Sequence, residues 1–198
     1  MIKLPKTVTV ARIPYSVKPP DGDYTEGCNS NVQEIYVTDK ATIPRKRQYL
    51  FWNIALLLME AAGIPYSTYM RYNKQVGAVL NRFVVDNSFT WIREGKEPPA
   101  TIWLNGLPYT VIKDDTGLTE ARGHCGEICY DDLTIRYKPD MPPEITAYVV
   151  IHECTHGILF ESFAGTLESK ETAVEALAWQ ILYFLQDNDL LRFKPEGA

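Results

Sequence analysis

The chain contains two segments that repeat each other, and this repeat constrains the fold more than any other feature. TVTVARIPYSV at residues 7–17 matches TIWLNGLPYTV at residues 101–111, so that residue 7 corresponds to residue 101 at an offset of 94. The same offset places Tyr36 opposite Tyr130 and Ala62 opposite His156. VVDN ending at Asn87 also resembles LQDN ending at Asn188. An internal repeat of this kind predicts two similar structural units.

Each copy predicts the same order of elements. Alternating apolar and polar residues indicate a strand, a loop rich in Gly and Asp follows, and a further short strand comes next. Proline at residue 44 and at residues 142–143 is typical of a first helical turn, and a break near Gly63 or at Gly165 separates that helix from a second one. We therefore expect an α+β fold of two small units, each a short antiparallel sheet packed against two long helices. The charged, Pro-rich stretch REGKEPPA at 93–100 is the expected linker between units at 1–95 and 96–198.

The overall charge disfavours a nucleic-acid partner. The formal net charge is -5 and the sequence pI is about 5.3, whereas phosphate-binding surfaces need clustered Lys and Arg. The one basic cluster, Arg45 to Arg47, follows a proline and is interpreted as a solvated helix end. The sequence predicts no membrane span and no secretory signal. We expect a cytoplasmic protein in which Cys28, Cys125, Cys129 and Cys154 are reduced.

VVIHECTHGILFES at 149–162 contains the pattern His-Glu-x-x-His. On a helix, His152 and His156 project side by side and can bind one ion. The histidines fall on one helical stripe together with apolar residues, which predicts that they interrupt the buried face; the stripe is Ile145, Tyr148, Val149, His152, His156 and Leu159. Glu153 follows the first histidine and is placed to act as a general base. The pattern predicts a Zn²⁺ site with a hydrolytic function.

A catalytic zinc needs a third protein ligand. Glu168, Glu171 and Glu175 share one face of the next predicted helix, and the same face becomes apolar at Ala178. Glu175 is the carboxylate expected to lie deepest, and coordination would offset the cost of burying it. We favour Glu175 as the third ligand, with Glu171 as the alternative.

The second half of the chain resembles a known family. LPYTV, GEICYDDL, MPPE, VVIHECTHGILFE and VEALAWQILYFLQDN together look like the phage-encoded metallopeptidase domains related to the ImmA/IrrE family, over about residues 99–190. The resemblance implies a zincin-like unit of gluzincin type, with His152, His156 and Glu175 on zinc and Glu153 as general base. It also implies a protein substrate, such as a repressor or a host defence protein, in a bacterial cytoplasm.

Several alternatives stay open at this point. His124 and Tyr130 are candidates for an oxyanion donor, although a structural role is favoured for each. A second zinc site at His124, Cys125 and Cys129 is disfavoured because the spacing matches no strong zinc pattern. The alternative function is a non-catalytic zinc-containing module that sequesters a protein partner.

The first copy lacks the metal ligands. At the offset of 94, Leu58, Met59 and Ala62 lie opposite His152, Glu153 and His156. On the second helix, alignments that allow for the extra residues of the second copy place Lys74 or Gly77 opposite Glu175. We interpret residues 1–95 as a degenerate copy that positions substrate, or that replaces the second subunit of a dimer in an internal pseudo-dimer.

Overall fold

The computed structural model of the chain describes residues 4–21, 26–117 and 123–188. Among the described residues, the first unit contains four strands and three helices: β1 Thr7–Val10, β2 Ile13–Lys18, β3 Glu26–Asn29, β4 Glu34–Val37, α1 Ile43–Ala61, α2 Tyr66–Asp86 and α3 Thr90–Glu94. The second unit has the corresponding order: β5 Thr101–Leu104, β6 Leu107–Lys113, β7 Gly126–Cys129, β8 Thr134–Tyr137, α4 Pro143–Glu161, α5 Gly165–Glu168 and α6 Glu171–Asp187. The predicted α+β fold of two similar units is confirmed.

Each unit has a four-stranded sheet, and the strand orders are β1-β2-β4-β3 and β5-β6-β8-β7. Two of the three pairings in each sheet are antiparallel, as predicted. The central pairs, β2 with β4 and β6 with β8, are parallel, so the sheets are mixed rather than antiparallel. Alternation along a strand reports which face is buried but not the direction of its neighbour, which explains the difference.

The offset between the two copies changes along the chain. β1 and β5 begin 94 residues apart, whereas β3 and β7, β4 and β8, and α1 and α4 each begin 100 residues apart. The constant offset of 94 is therefore wrong beyond the second strand of each unit. Arg136, not Tyr130, is the counterpart of Tyr36, and the residues opposite His152, Glu153 and His156 are Trp52, Asn53 and Leu56.

The two units contact each other reciprocally. The second long helix of each unit packs on the first strand of the other, so that α2 contacts β5 and α6 contacts β1. Asn188 accepts a hydrogen bond from the backbone N–H of Thr9 at 2.9 Å and donates to its carbonyl at 2.8 Å. Asn87 makes the same pair of bonds with Trp103, both at distances below 3 Å. Such paired contacts are what a two-fold axis between the units would produce.

The reciprocal contacts also join the hydrophobic cores. Buried side chains of both units form one continuous cluster. Phe51 of α1 and Phe184 of α6 meet edge to face, with ring centroids 6.3 Å apart. Within the described part of the chain, no helix combines the length and apolar character that crossing a bilayer requires.

Candidate metal centre

Helix α4 carries both histidines, and its prolines explain where it begins. Pro142 precedes the helix and Pro143 occupies its first turn, where a missing N–H costs nothing. The helix is buried on most of its circumference rather than along one stripe. His152 and His156 lie instead on the wall of a cleft, with side chains 12% and 16% exposed, and Ile145 on the same side is 44% exposed. Both histidines are thus largely buried, in line with the prediction, but the predicted stripe is not buried throughout, because Ile145 at its start is exposed.

The two imidazoles and one carboxylate converge on a common point. The Nε2 atoms of His152 and His156 are 3.2 Å apart. The Glu171 carboxylate approaches both, with Oε1 2.9 Å from Nε2 of His152 and Oε2 3.4 Å from Nε2 of His156. Two nitrogen ligands about 2.05 Å from a tetrahedral zinc ion would be roughly 3.3 Å apart. The donor types and their spacings therefore fit a metal ion with a fourth position left for another ligand.

The third member of this group is Glu171 and not the favoured Glu175. Both carboxylates are exposed, whereas the Glu168 side chain is only 25% exposed, so the expectation that Glu175 lies deepest of the three is wrong. Helix α6 begins at Glu171, and its first turn is the part that faces the histidines. Glu175 lines the same cleft one turn further along, outside the group of converging donor atoms.

The protonation of His152 suits a metal ligand. Burial lowers the pKa of His152, and the charge of His156 lowers it further, against the opposing effect of Glu171. A lowered pKa keeps the imidazole neutral near pH 7, which is the form that donates a lone pair to a metal.

Glu153 lies beside the group and is buried, with 7% of its surface exposed. Burial raises its pKa to about 8, and the charge of Glu171 contributes in the same direction. A hydrogen bond from the backbone N–H of Ile128 on strand β7 acts in the opposite direction and holds the carboxylate in place. A carboxyl group with a pKa near neutrality can accept a proton and return it.

Gly126 on β7 makes room for Glu153. A Cβ atom at this position would lie 2.6 Å from Cγ1 of Val149 and 2.8 Å from Oε1 of Glu153. The residue that corresponds to Gly126 in the first unit is Glu26, so the requirement belongs to the second unit alone. Sequence reasoning missed Gly126, although a glycine inside a strand is a known sign of close approach.

The cleft around the group has a volume of about 620 Å³ and is rich in carboxylates. His124 and Tyr130, the two candidate oxyanion donors, both line it. The Tyr130 hydroxyl donates a hydrogen bond to Oε1 of Glu168 at 3.0 Å, and its ring stacks on Phe160 at 4.1 Å. Burial and the charge of Glu168 raise the pKa of Tyr130, so the phenol stays protonated as a donor.

Glu168 is a second residue whose role in the site the sequence did not indicate. Its Oε1 atom lies 3.5 Å from Nδ1 of His156, on the side of the ring opposite the converging Nε2 atoms.

Cys125 and Cys129 are free thiols, and the Cys129 sulfur lies 3.7 Å from a carboxylate oxygen of Asp132.

The corresponding place in the first unit holds different chemistry. Trp52 replaces His152, and Lys74 lies over the Trp52 ring at 4.8 Å and pairs with Glu26 at 3.4 Å. Lys74 is the counterpart of Glu175 when α2 and α6 are aligned on Asn87 and Asn188. Lys74, Trp52 and Asn53, the counterparts of Glu175, His152 and Glu153, carry no imidazole ring. These positions of the first unit therefore do not form a histidine metal site.

Fold and site together define an α+β protein of two similar units with a candidate metal centre in the second. Comparison of the chain with models of protein families, with curated proteins and with solved structures found no match. The resemblance to the ImmA/IrrE family therefore stays a prediction.

Proposed function

We propose that the chain is a zinc-dependent metallopeptidase that hydrolyses a specific protein or peptide substrate. The observation that carries the proposal is the position of Glu153, a buried carboxyl group directly beside three converging metal-ligand side chains and open to the cleft. A structural zinc site requires ligands but has no use for a buried proton acceptor next to them. This position favours an enzyme over a non-catalytic binding module.

The proposed roles follow from the geometry. His152, His156 and Glu171 would hold the ion, which when bound supplies Lewis-acid chemistry that polarises a peptide carbonyl and acidifies water. Glu153 would take a proton from the attacking water and deliver it to the leaving amine. The backbone N–H of Ile128 would keep the Glu153 carboxylate aimed at the cleft during both transfers.

Metal analysis of four proteins tests the ligand set. The wild-type chain is expected to contain one equivalent of zinc, and His152→Ala and Glu171→Gln are expected to lose it. Glu175→Gln serves as the matched control, because it removes the same charge one turn away on the same helix. Zinc retained by Glu171→Gln and lost by Glu175→Gln would assign the third ligand to Glu175.

A separate experiment tests hydrolysis. Glu153→Gln is expected to keep its zinc and to bind substrate without cleaving it, so that it can capture a protein from the cell. The captured protein must then be cut by the wild-type chain and left intact by Glu153→Gln. Full activity in Glu153→Gln would refute the proposed mechanism.

A further inference from the structure

His156, one of the three candidate metal ligands, has a different partner on each ring nitrogen. Nε2 faces His152 and Glu171, whereas Nδ1 faces Oε1 of Glu168 at 3.5 Å. A histidine that binds a metal through one nitrogen commonly donates its other N–H to a carboxylate, which fixes the tautomer and the ring orientation. Glu168 is in the position for that role.

Glu168 is itself held in place from the cleft side. The Tyr130 hydroxyl donates to the same Oε1 atom, and stacking on Phe160 restricts the Tyr130 ring. The Glu168 side chain is only 25% exposed, so the hydrogen bond from Tyr130 is partly protected from competition with water.

The segment that carries Glu168 is also tied to the first unit. α5 is a four-residue helix between the two long helices, and Leu167 within it is buried. Thr166, two residues before Glu168, lies 3.1 Å from the Tyr72 hydroxyl through its Oγ1 atom. Tyr72 belongs to α2 and has 8% of its surface exposed, so it is a fixed anchor rather than a mobile surface group.

We propose that Glu168 is a positioning residue for His156, and that the first unit supports it through the Tyr72–Thr166 hydrogen bond. The connected groups are Tyr72, Thr166, Glu168 and His156. This inference rests on the proposed zinc site, since it concerns the geometry of one of its ligands. It gives the first unit a specific contribution to a metal centre that the unit itself does not contain.

Zinc affinity of the full-length chain, measured by competition with a chromogenic chelator, tests the role of Glu168. Glu168→Ala is expected to weaken zinc binding by about 10- to 100-fold, the usual effect of losing such a partner. The amide oxygen of Glu168→Gln can still accept a hydrogen bond from Nδ1–H of His156, so this variant is expected to recover part of the affinity. Glu161→Gln is the matched control. The Glu161 carboxylate accepts a hydrogen bond from Asn105 at 3.1 Å and does not line the cleft.

The link to the first unit has its own test. Tyr72→Phe and Thr166→Val each remove one hydroxyl, and each is expected to weaken zinc binding several-fold. The double variant is expected to lose no more than either single variant, because both remove the same bond. Glu168→Gln keeps an oxygen that can accept the Tyr130 hydrogen bond, so unfolding of the metal-free proteins should be the same for Glu168→Gln and Glu161→Gln, which separates positioning from general loss of structure.

These measurements distinguish failure of the proposed zinc site from failure of the role of Glu168 and from failure of the contribution of the first unit. A wild-type chain that does not bind zinc would overturn the proposed function and this inference with it. Zinc binding by wild type with equal affinity in Glu168→Ala would overturn the role of Glu168 alone. Unchanged affinity in Tyr72→Phe and Thr166→Val would overturn the contribution of the first unit.

Discussion

Replacing Gly126 by alanine tests whether the second unit is built to accommodate Glu153. The added Cβ would lie 2.6 Å from Cγ1 of Val149 and 2.8 Å from Oε1 of Glu153. Val149 is β-branched and belongs to the buried helix α4, so it has little freedom to move aside. The Glu153 carboxylate is the more flexible of the two neighbours, and it is the group that must shift.

The magnitude follows from two opposing effects. Replacing glycine by alanine at an unstrained position stabilises a protein by about 0.4–1 kcal/mol, because the unfolded chain loses freedom. Overpacking a filled interior costs about 1–3 kcal/mol. We expect Gly126→Ala to lower the free energy of unfolding by roughly 1–2 kcal/mol. Displacing a catalytic group by about 1 Å can cost roughly 100-fold in rate, so the proposed peptidase activity should fall by about that factor.

Urea unfolding and metal analysis of the same samples provide the assay. Gly27→Ala in strand β3 is the matched control, because its nearest neighbour would be Cδ2 of Tyr36 at an ordinary 3.9 Å. We expect Gly27→Ala to be as stable as wild type or slightly more stable, and both variants to retain zinc. Equal stability and activity in Gly126→Ala and Gly27→Ala would refute the argument that Gly126 is needed to seat Glu153.

Three further predictions concern the packing and the titration of the chain. Gly77→Ala would place a Cβ 2.6 Å from the Phe51 carbonyl oxygen, so α1 and α2 must separate. Urea unfolding should show that the free energy of unfolding falls by about 2 kcal/mol or more, and an unchanged value would contradict this packing. Asn188→Ala removes both bonds to Thr9 and should cost about 2–3 kcal/mol by the same measurement. Asn31→Ala is the control and should change little, because Asn31 is exposed and its bond to Asn29 comes from its backbone N–H. The pKa of Glu153 is raised from 4.5 to about 8 by folding, so the folded metal-free chain binds more protons than the unfolded chain between these values. Its stability should therefore fall as pH rises from about 5 to about 8, and the slope should flatten in Glu153→Gln; equal slopes would contradict the assignment.

Local patterns in the sequence predicted the two long helices of each unit and part of the site, but only two of the four strands of each unit. The prolines in the first turns of α1 and α4 locate both helix starts, and the four-residue spacing of His152 and His156 places their rings side by side on any helix. These features depend on covalent spacing and helical geometry, which are fixed before tertiary structure forms. The position of Glu153 directly after His152 follows in the same way.

Tertiary structure decided which distant residues join the site. Glu171 and Glu175 lie one turn apart on the same helix, and only the approach of α6 to α4 selects the first of them. Glu168 lies near His156 because the short helix α5 passes close to it, and Gly126 lies near Glu153 because the edge strand β7 does. No periodic pattern in the sequence encodes these contacts. The sequence by itself determined two similar units and a histidine pair on a helix. Only the packing of the elements decided three features: the mixed sheets, the change of offset between the copies, and the residues that contact each candidate metal ligand. The distances between elements are set by the path of the chain and not by the spacing of residues along a strand or helix.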